Sequence, residues 1–171
     1  PSPNVPTPMT LVAYPGTCLF EGTNLSEGRG TTRPFEWLGA PWIDGYAWAE
    51  AMNSLNLPGV MFRPVYFTPT FSKHEGTLCQ GVEVHVTDVR SFRPVETGLH
   101  LLATARAQDE DAFAWVPPMG EIGEWFIDLL AGTDELRRAL DAGRLVTDVI
   151  ASWQQHTAAW SEARTKYTIY R

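Results

Sequence analysis

The chain has 171 residues, and its 13 lysine and arginine residues stand against 20 aspartate and glutamate residues, which gives a formal net charge of −7. Hydrophobic residues make up 44% and charged residues 19% of the chain, a balance typical of a folded globular domain rather than a disordered or fibrous one. The acidic balance and the absence of a lysine and arginine cluster exclude the electrostatic surface of a nucleic-acid-binding protein. No stretch approaches the roughly 20 apolar residues of a membrane-spanning helix, so no membrane span is expected.

The amino-terminal residues 1–9 contain prolines at four of the first eight positions. This composition disfavours a helix or a central strand and indicates a linker. We therefore expect a linker stub over residues 1–9 and a single domain over residues 10–171. A chain that opens on a linker is expected to be part of a longer protein.

The first half of the chain predicts strands, one loop and one helix. Residues 10–14 predict a strand, because they are β-branched and apolar and are followed by the turn pair Pro15-Gly16. Residues 21–34 carry glycines and almost no apolar side chain, which predicts a long polar surface loop. Residues 45–55 predict a helix that Asp44 caps.

Two further strands are predicted before the second group of helices. Residues 60–67 are rich in valine and aromatic residues, but Pro64 predicts an edge or bulged strand. In residues 82–88 the valines alternate with polar residues, so Glu83, His85 and Thr87 are expected on the face opposite the core.

The second half of the chain predicts helices over residues 94–107, 121–130, 134–142 and 146–167. In the last of these, Trp153, His156 and Trp160 recur on one side at steps of three and four, so the helix is expected to dock lengthwise on the rest of the fold. The mixture of strands and helices without regular alternation predicts an α+β fold. We expect a mixed or antiparallel sheet of short strands, packed against several helices that include a long C-terminal helix.

Several signatures of catalysis are absent from the sequence. There is no phosphate-binding P-loop, no dinucleotide fingerprint, no Gly-x-Ser-x-Gly elbow, no His-Glu-x-x-His and no Cys-x-x-Cys. These absences disfavour nucleotide-binding proteins, serine hydrolases and zinc proteases, and the sequence predicts neither a cofactor nor a metal site. Cys18 and Cys79 fit either two reduced thiols or one disulfide.

The loop over residues 21–34 is the most informative segment, because acid, amide, hydroxyl and guanidinium groups occur together in it. This combination favours recognition of a polar substrate, and the alternative is a solvated surface loop. His85 is interpreted either as a hydrogen-bonded strand histidine or as a ligand-binding residue. Trp37 and Trp42 follow the loop, and aromatic rings beside acids and amides are typical of sugar-binding sites, although core packing is the favoured role for each.

A set of motifs resembles the second domain of the NamZ-like exo-β-N-acetylmuramidases, once listed only as a domain of unknown function. The combination of Glu-Gly-Thr-Asn with Gly-Arg-Gly-Thr is specific, and the resemblance covers residues 11–171. The motifs occur in the order Tyr14-Pro-Gly-Thr-Cys-Leu-Phe-Glu-Gly-Thr-Asn24, Gly28-Arg-Gly-Thr31, Arg33-Pro-Phe35, Gly39-Ala-Pro-Trp-Ile-Asp44, Leu57-Pro-Gly-Val60, Phe67-Thr-Pro-Thr70, Gly81-Val82 and His85-Val-Thr-Asp88.

The resemblance implies a bacterial peptidoglycan enzyme that removes terminal N-acetylmuramic acid from the non-reducing end of cell-wall fragments. Family members have a Rossmann-like first domain and an α+β second domain, with the active-site cleft between them. The present chain matches only the second domain, which would form one wall of that cleft. A cell-wall substrate also implies an exported protein, periplasmic or extracellular, in which Cys18 and Cys79 could form a disulfide.

The resemblance also implies roles for individual residues. Arg29 is the first choice, and Arg33 the second, for binding the lactyl carboxylate of N-acetylmuramic acid, because a guanidinium fork matches a carboxylate. Glu21 is a candidate catalytic carboxylate or sugar ligand, and Asn24 a ligand of the sugar hydroxyls or the acetamido group. Thr31, Trp42 and His85 complete the predicted substrate-binding set. The rival hypothesis is a non-catalytic module that binds carbohydrate or cell wall.

Overall fold

The computed structural model describes residues 4–118 and 123–169. Helices and strands follow one another without regular alternation. In chain order they are α1 (Pro8–Thr17), a 3₁₀ turn (Cys18–Gly22), β1 (Trp37–Ala40), α2 (Gly45–Ser54), β2 (Val60–Phe67), β3 (Cys79–Val86), α3 (Pro94–Arg106), α4 (Phe126–Ala131), α5 (Glu135–Asp141), α6 (Val146–Arg164) and a second 3₁₀ turn (Thr165–Tyr167). This order confirms the predicted α+β class. Among the described residues, no helix is both long enough and apolar enough to cross a bilayer.

The three strands form one antiparallel sheet in the order β1-β3-β2. Strand β3 lies in the centre, and its buried Val82 and Val84 confirm the predicted apolar face. Strand β2 lies at the edge of this sheet, where the missing N–H of Pro64 is tolerated, as the sequence predicted.

The core lies between the sheet and the helices. Helix α2 packs on β2 and β3, and α3 packs on both α2 and α1. Helix α2 begins where the sequence predicts, because the Asp44 carboxylate accepts hydrogen bonds from the backbone N–H groups of Tyr46 and Ala47 at 2.9 and 3.0 Å. Its Trp48 and Met52 are fully buried in the core.

The strand predicted over residues 10–14 is wrong, because these residues belong to helix α1. The helix begins at Pro8, inside the range assigned to a linker, and proline is compatible with the first turn of a helix. The Thr7 hydroxyl accepts a hydrogen bond from the Thr10 N–H at 3.1 Å and so caps the helix. Pro15 lies inside the helix rather than in a turn after it.

Helices α1 and α3 contact one another backbone to backbone. A Cβ atom on Gly16 would lie 1.9 Å from the carbonyl oxygen of Pro94, and one on Gly98 would lie 2.4 Å from the carbonyl oxygen of Gly16. Only glycine fits at these two positions. This contact explains why α1 is a helix despite its β-branched residues, since tertiary packing overrides local propensity.

The remaining predicted helices exist, with different bounds. Helix α4 begins at Phe126, and residues 121–122 of its predicted range lie outside the described residues. Gly132 and Gly143 follow α4 and α5 and have φ angles of 73° and 68°, the left-handed conformation in which glycine commonly ends a helix.

The prediction that the last helix docks lengthwise is wrong. In α6 only Val146 and Val149 are buried, Trp153 is half-buried, and His156 is exposed. Trp160, which was predicted to lie in the core, is 65% exposed. Among the described residues, only the first two turns of α6 therefore pack against the rest of the fold.

Candidate functional site

The segment over residues 21–34 lies only partly on the surface, because Thr32 and Arg33 are exposed whereas most of residues 22–28 are buried. Leu25, Ser26 and Glu27 are buried, and Ser26 pairs with Gly39 along the edge of β1 through hydrogen bonds of 2.8 and 3.1 Å. The segment thus extends the sheet by one bridge, so its polar side chains have to be satisfied inside the protein.

Four charged side chains, which we call the charged cluster, satisfy this requirement. Lys73 Nζ lies 2.8 Å from Glu27 Oε2, Arg29 Nε lies 3.1 Å from Glu27 Oε1, and Arg29 Nη2 lies 2.7 Å from Glu21 Oε1. Positive and negative groups alternate in the order of these contacts, which is Lys73, Glu27, Arg29 and Glu21. This alternation compensates the burial of the Glu27 carboxylate.

Lys73 forms one end of the charged cluster. Its ammonium also donates hydrogen bonds to the carbonyl oxygens of Phe20 and Leu25, at 2.8 and 3.0 Å. Burial lowers the pKa of Lys73, and the nearby Glu27 carboxylate opposes this shift. All three donors of the ammonium therefore have acceptors within the site.

The other end of the charged cluster is Glu21, whose side chain is 18% exposed. The Phe35 ring lies beneath Arg29, 5.0 Å from ring centroid to guanidinium carbon, and Tyr14 packs edge-on against Phe35 at 4.8 Å between centroids. Burial, followed by the Glu21 charge, raises the pKa of the Tyr14 phenol. The geometry therefore leaves one accessible carboxylate, oriented by a guanidinium and accompanied by a protonated phenol.

A cavity of about 530 Å³, which we call the aromatic cavity, lies beside this cluster. It is lined by aromatic rings, threonines and loop backbone, namely Asn4, Gly30, Thr31, Thr32, Trp37, Phe67, Thr68, Thr70 and Phe71. The Trp37 and Phe67 rings are 6.0 Å apart, and the Trp37 Nε1 is buried without a hydrogen-bond partner among the described residues. Gly30, the residue after Arg29, has a φ of 80° and packs against the Phe71 backbone, so the loop that carries Arg29 also forms the cavity wall.

A second cavity, of about 310 Å³, contains two of the predicted substrate-binding residues, Arg33 and His85. We call it the basic cavity. Its other lining residues are Met61, Arg63 and Glu83. The expected polar face of β3 is thus only partly exposed, because Glu83 is buried while His85 is exposed.

The structure does not bring all the predicted residues together. The Asn24 side chain binds backbone groups at both ends, since Nδ2 donates to the Ala112 carbonyl at 2.7 Å and Oδ1 accepts from the Ala114 N–H at 3.0 Å. Trp42 is half-buried against the core, with its Nε1 buried and unpartnered among the described residues. Glu21 and Arg29 meet in the charged cluster, whereas Thr31 lines the aromatic cavity and donates to the Gly28 carbonyl at 2.6 Å.

Sequence reasoning missed Tyr14 and Lys73. Tyr14 was assigned to a strand, and Lys73 lies 46 positions away from Glu27, its ion-pair partner. The available signal was their place in the sequence: Tyr14 precedes a Pro-Gly-Thr motif, and Lys73 follows a Thr-Pro-Thr motif. Neither motif specifies which residue the side chain contacts.

The two cysteines are free thiols, so the disulfide considered from the sequence does not form. Burial raises the pKa of Cys79 to about 11, and burial together with the Glu21 charge raises the pKa of Cys18. Within residues 4–118 and 123–169, no group of three or more histidine, cysteine, aspartate or glutamate side chains could hold a metal ion.

Comparisons with known proteins agree with this structure. The family model described as "Exo-beta-N-acetylmuramidase NamZ, C-terminal" matches residues 12–170. The peptidoglycan beta-N-acetylmuramidase NamZ of Bacillus subtilis (strain 168) is 45% identical over 170 residues, which cover 99% of this chain and 40% of that protein. The chain thus spans about two fifths of the curated relative that it matches.

Two crystal structures of DUF1343 family proteins from Bacteroides fragilis NCTC 9343 share the fold, each at 26% identity. One superposes with a TM-score of 0.85 and covers 99% of this chain and 44% of the other. The second has a TM-score of 0.64 and covers 100% of this chain and 43% of the other. With a family model that matches nearly the whole chain, the chain belongs to the NamZ exo-β-N-acetylmuramidase family and corresponds to its C-terminal domain.

Proposed function

We propose that the chain forms one wall of an active site that releases terminal N-acetylmuramic acid from peptidoglycan fragments, with Glu21 as a catalytic carboxylate. The other wall would come from a Rossmann-like N-terminal domain in a longer protein, as the resemblance implies. Export to the periplasm or the cell exterior is part of this proposal, because that is where intact peptidoglycan lies.

The observation that carries the proposal is the held, accessible carboxylate of Glu21. A glycosidase carboxylate acts as acid, base or nucleophile only if its position relative to the scissile bond is fixed. The Arg29 guanidinium fixes Glu21 from one side at 2.7 Å and is itself fixed by Glu27 and Phe35. Glu27 is buried between Arg29 and Lys73, with a side chain only 3% exposed, so Glu21 is the carboxylate of the charged cluster that a substrate reaches.

The aromatic cavity supports the sugar part of the proposal. Its volume of about 530 Å³ lies within the range of ordinary small-molecule sites, roughly 300–1,000 Å³. The Trp37 and Phe67 rings offer an apolar surface for a sugar ring, and the threonine hydroxyls offer polar partners.

The test is a Glu21→Gln substitution in the full-length protein, assayed with a chromogenic N-acetylmuramide. Loss of a catalytic carboxylate is expected to lower kcat by about 100-fold or more and to leave KM nearly unchanged. Glu75→Gln is the matched control, because Glu75 is exposed on the segment that carries Lys73. Full turnover by the Glu21→Gln variant would exclude Glu21 as a catalytic carboxylate.

The aromatic cavity alone also fits the alternative, a carbohydrate-binding module without catalysis, because stacking and hydroxyl contacts need no chemistry. Binding of N-acetylmuramic acid together with no turnover by the full-length protein would favour this alternative.

A further inference from the structure

We propose that the basic cavity is a carboxylate subsite, which binds the lactyl group of a muramic acid residue on the outer face of the sheet. The proposal rests on the proposed function for the identity of the sugar. It adds Arg63 and Glu83 to Arg33 and His85, which the sequence already predicted to bind substrate. It assigns the carboxylate to Arg33 and Arg63 rather than to Arg29.

Strand register builds this subsite. Trp37 of β1 lies opposite Glu83 of β3, and Glu83 lies opposite Arg63 of β2. Met61 lies opposite His85, two positions further along the same two strands. Because directly opposite residues point to the same face, these five side chains share the outer face of the sheet.

The charges in the basic cavity are arranged with the positive groups outward. Arg63 Nε lies 2.5 Å from Glu83 Oε2, and Arg33 Nη1 lies 2.9 Å from Glu36 Oε2. The two glutamate side chains are only 4% and 5% exposed, whereas those of Arg63 and Arg33 are 69% and 46% exposed. Each buried carboxylate fixes one edge of a guanidinium, and the rest of the fork is available to an anion that arrives from solvent.

The Glu36 carboxylate has further partners that hold it below the surface. Its Oε1 accepts hydrogen bonds from the hydroxyls of Thr10 and Thr7, at 2.6 and 3.3 Å. Glu36 therefore positions Arg33 without competing for a ligand at the cavity.

Arg29 is a poorer place for a substrate carboxylate. Its Nε and Nη2 already bind Glu27 and Glu21. A third carboxylate at this guanidinium would lie beside two others, and like charges at that distance repel. The basic cavity offers two guanidinium groups whose carboxylate partners are buried.

The two cavities adjoin through one cross-strand pair. Trp37 lines the aromatic cavity, and its register partner Glu83 lines the basic cavity. Directly opposite residues in an antiparallel pair are separated by about 5 Å between Cα atoms. A ligand with a sugar ring and a carboxylate on a short arm therefore fits across both.

The experiment titrates the 171-residue chain with N-acetylmuramic acid, with its neutral methyl ester and with N-acetylglucosamine, followed by amide NMR shifts. We expect the acid to bind about tenfold more tightly than either neutral sugar, the effect of one charge-assisted hydrogen bond. The shifts that distinguish acid from ester should map to Arg63 and His85 and their neighbours.

The main variant is Arg63→Gln with Glu83→Gln, which removes the cation without leaving an unpaired buried carboxylate. It should reduce the preference for the acid, with Arg33 as the remaining cation, while ester affinity changes less than about twofold. Arg33→Lys keeps the ion pair with Glu36 but loses the planar fork, so it should reduce the preference for the acid. Arg138→Gln is the matched control, since Arg138 is exposed on α5, and it should keep the full preference.

Equal binding of acid and ester by the wild-type chain, or an undiminished preference in both variants, would overturn the proposal. Its failure is separable from failure of the proposed function. Turnover by the full-length protein without acid preference in the chain would reject only the carboxylate subsite. Acid preference without turnover would reject only the enzymatic role.

Discussion

Lys73 lies at the centre of the site, although it is not a residue that a substrate is expected to reach. Its ammonium binds Glu27 and two backbone carbonyls of the segment that carries Glu21. Replacing Lys73 with methionine leaves the Glu27 carboxylate buried with Arg29 as its remaining ion-pair partner.

We expect Lys73→Met to lower the free energy of unfolding by about 3 kcal/mol, the cost of breaking a buried ion pair by removing one partner. Urea denaturation followed by tryptophan fluorescence measures this. Lys166→Met is the control, because Lys166 is exposed near the C-terminal end and should change stability by less than about 0.5 kcal/mol. Equal effects of the two substitutions would contradict the role of Lys73.

Cys79 gives the protein a defined alkaline pH dependence. Burial raises its pKa from 9.0 to about 11, so the folded state keeps the thiol proton over a range in which the unfolded state releases it. Because the unfolded state then binds fewer protons, stability falls as pH rises from about 9 to 11. The contribution is at most about 3 kcal/mol and is fully present below pH 9.

Removing the thiol in Cys79→Ala should therefore flatten the alkaline part of the stability curve. The urea concentrations at the unfolding midpoints of the wild-type and Cys79→Ala proteins should differ by a constant amount up to about pH 8. They should converge from about pH 9 to 11. Parallel curves over the whole range would show that Cys79 does not titrate as its burial implies.

The residues of the site differ in how far the sequence could predict them. Glu21 and Arg29 lie in one short polar segment, so local composition was enough to identify both as candidate site residues. Their ion pair was not predicted. Tyr14 and Lys73 come from other elements, and only the fold places them beside Glu21 and Glu27. Asn24 illustrates the reverse, since its residue type suggests a ligand contact whereas its amide holds the 112–114 backbone.

At the scale of elements, α6 divides into a packed half and a solvated half. Val149 is fully buried, whereas the Trp160 residue is 65% exposed. The residues of α6 that follow Trp153 therefore contribute little to the free energy of folding of this chain.

We expect Val149→Ala to cost about 2 kcal/mol, the effect of removing buried methyl groups. Trp160→Ala should stay within about 0.5 kcal/mol in spite of the larger side chain removed. Thermal or urea unfolding of both variants compares the two directly. A larger loss for Trp160→Ala would mean that the helix is buried along its whole length.

Elements whose signals are local were predictable, and those that depend on distant contacts were not. Strand β3 has a period of 2 in its own residues, and α2 has its own aspartate cap. Helix α1 has β-branched residues and an internal proline, and it is stabilised by its contact with α3 some 80 positions away. The burial of residues 21–34 likewise depends on Lys73 and on the edge of β1.

At the scale of the whole molecule, the chain offers a sugar-sized cavity and one accessible carboxylate in the charged cluster. Glycosidases that use two carboxylates need a second one at a set distance, and in this cluster Glu27 is buried between two cations. The fold class was predictable from the mixture of elements, whereas a second domain that completes the site is an expectation from the family resemblance alone.

We therefore expect the 171-residue chain to bind N-acetylmuramic acid without hydrolysing a chromogenic N-acetylmuramide, whereas the full-length protein does both. Calorimetry on the chain and a continuous assay on both proteins measure this. Turnover by the chain at a rate near that of the full-length protein would place the complete catalytic set within these residues.

The glycine contact between α1 and α3 has a consequence for tolerance to substitution. Helix α1 leads through a single 3₁₀ turn to Glu21, so the thickness of the Gly16–Gly98 contact sets how far that carboxylate stands from α3. Any side chain at Gly16 would push the two helices apart and carry Glu21 with it. We therefore expect substitution of Gly16 or Gly98 to displace Glu21 while every polar residue of the charged cluster stays unchanged.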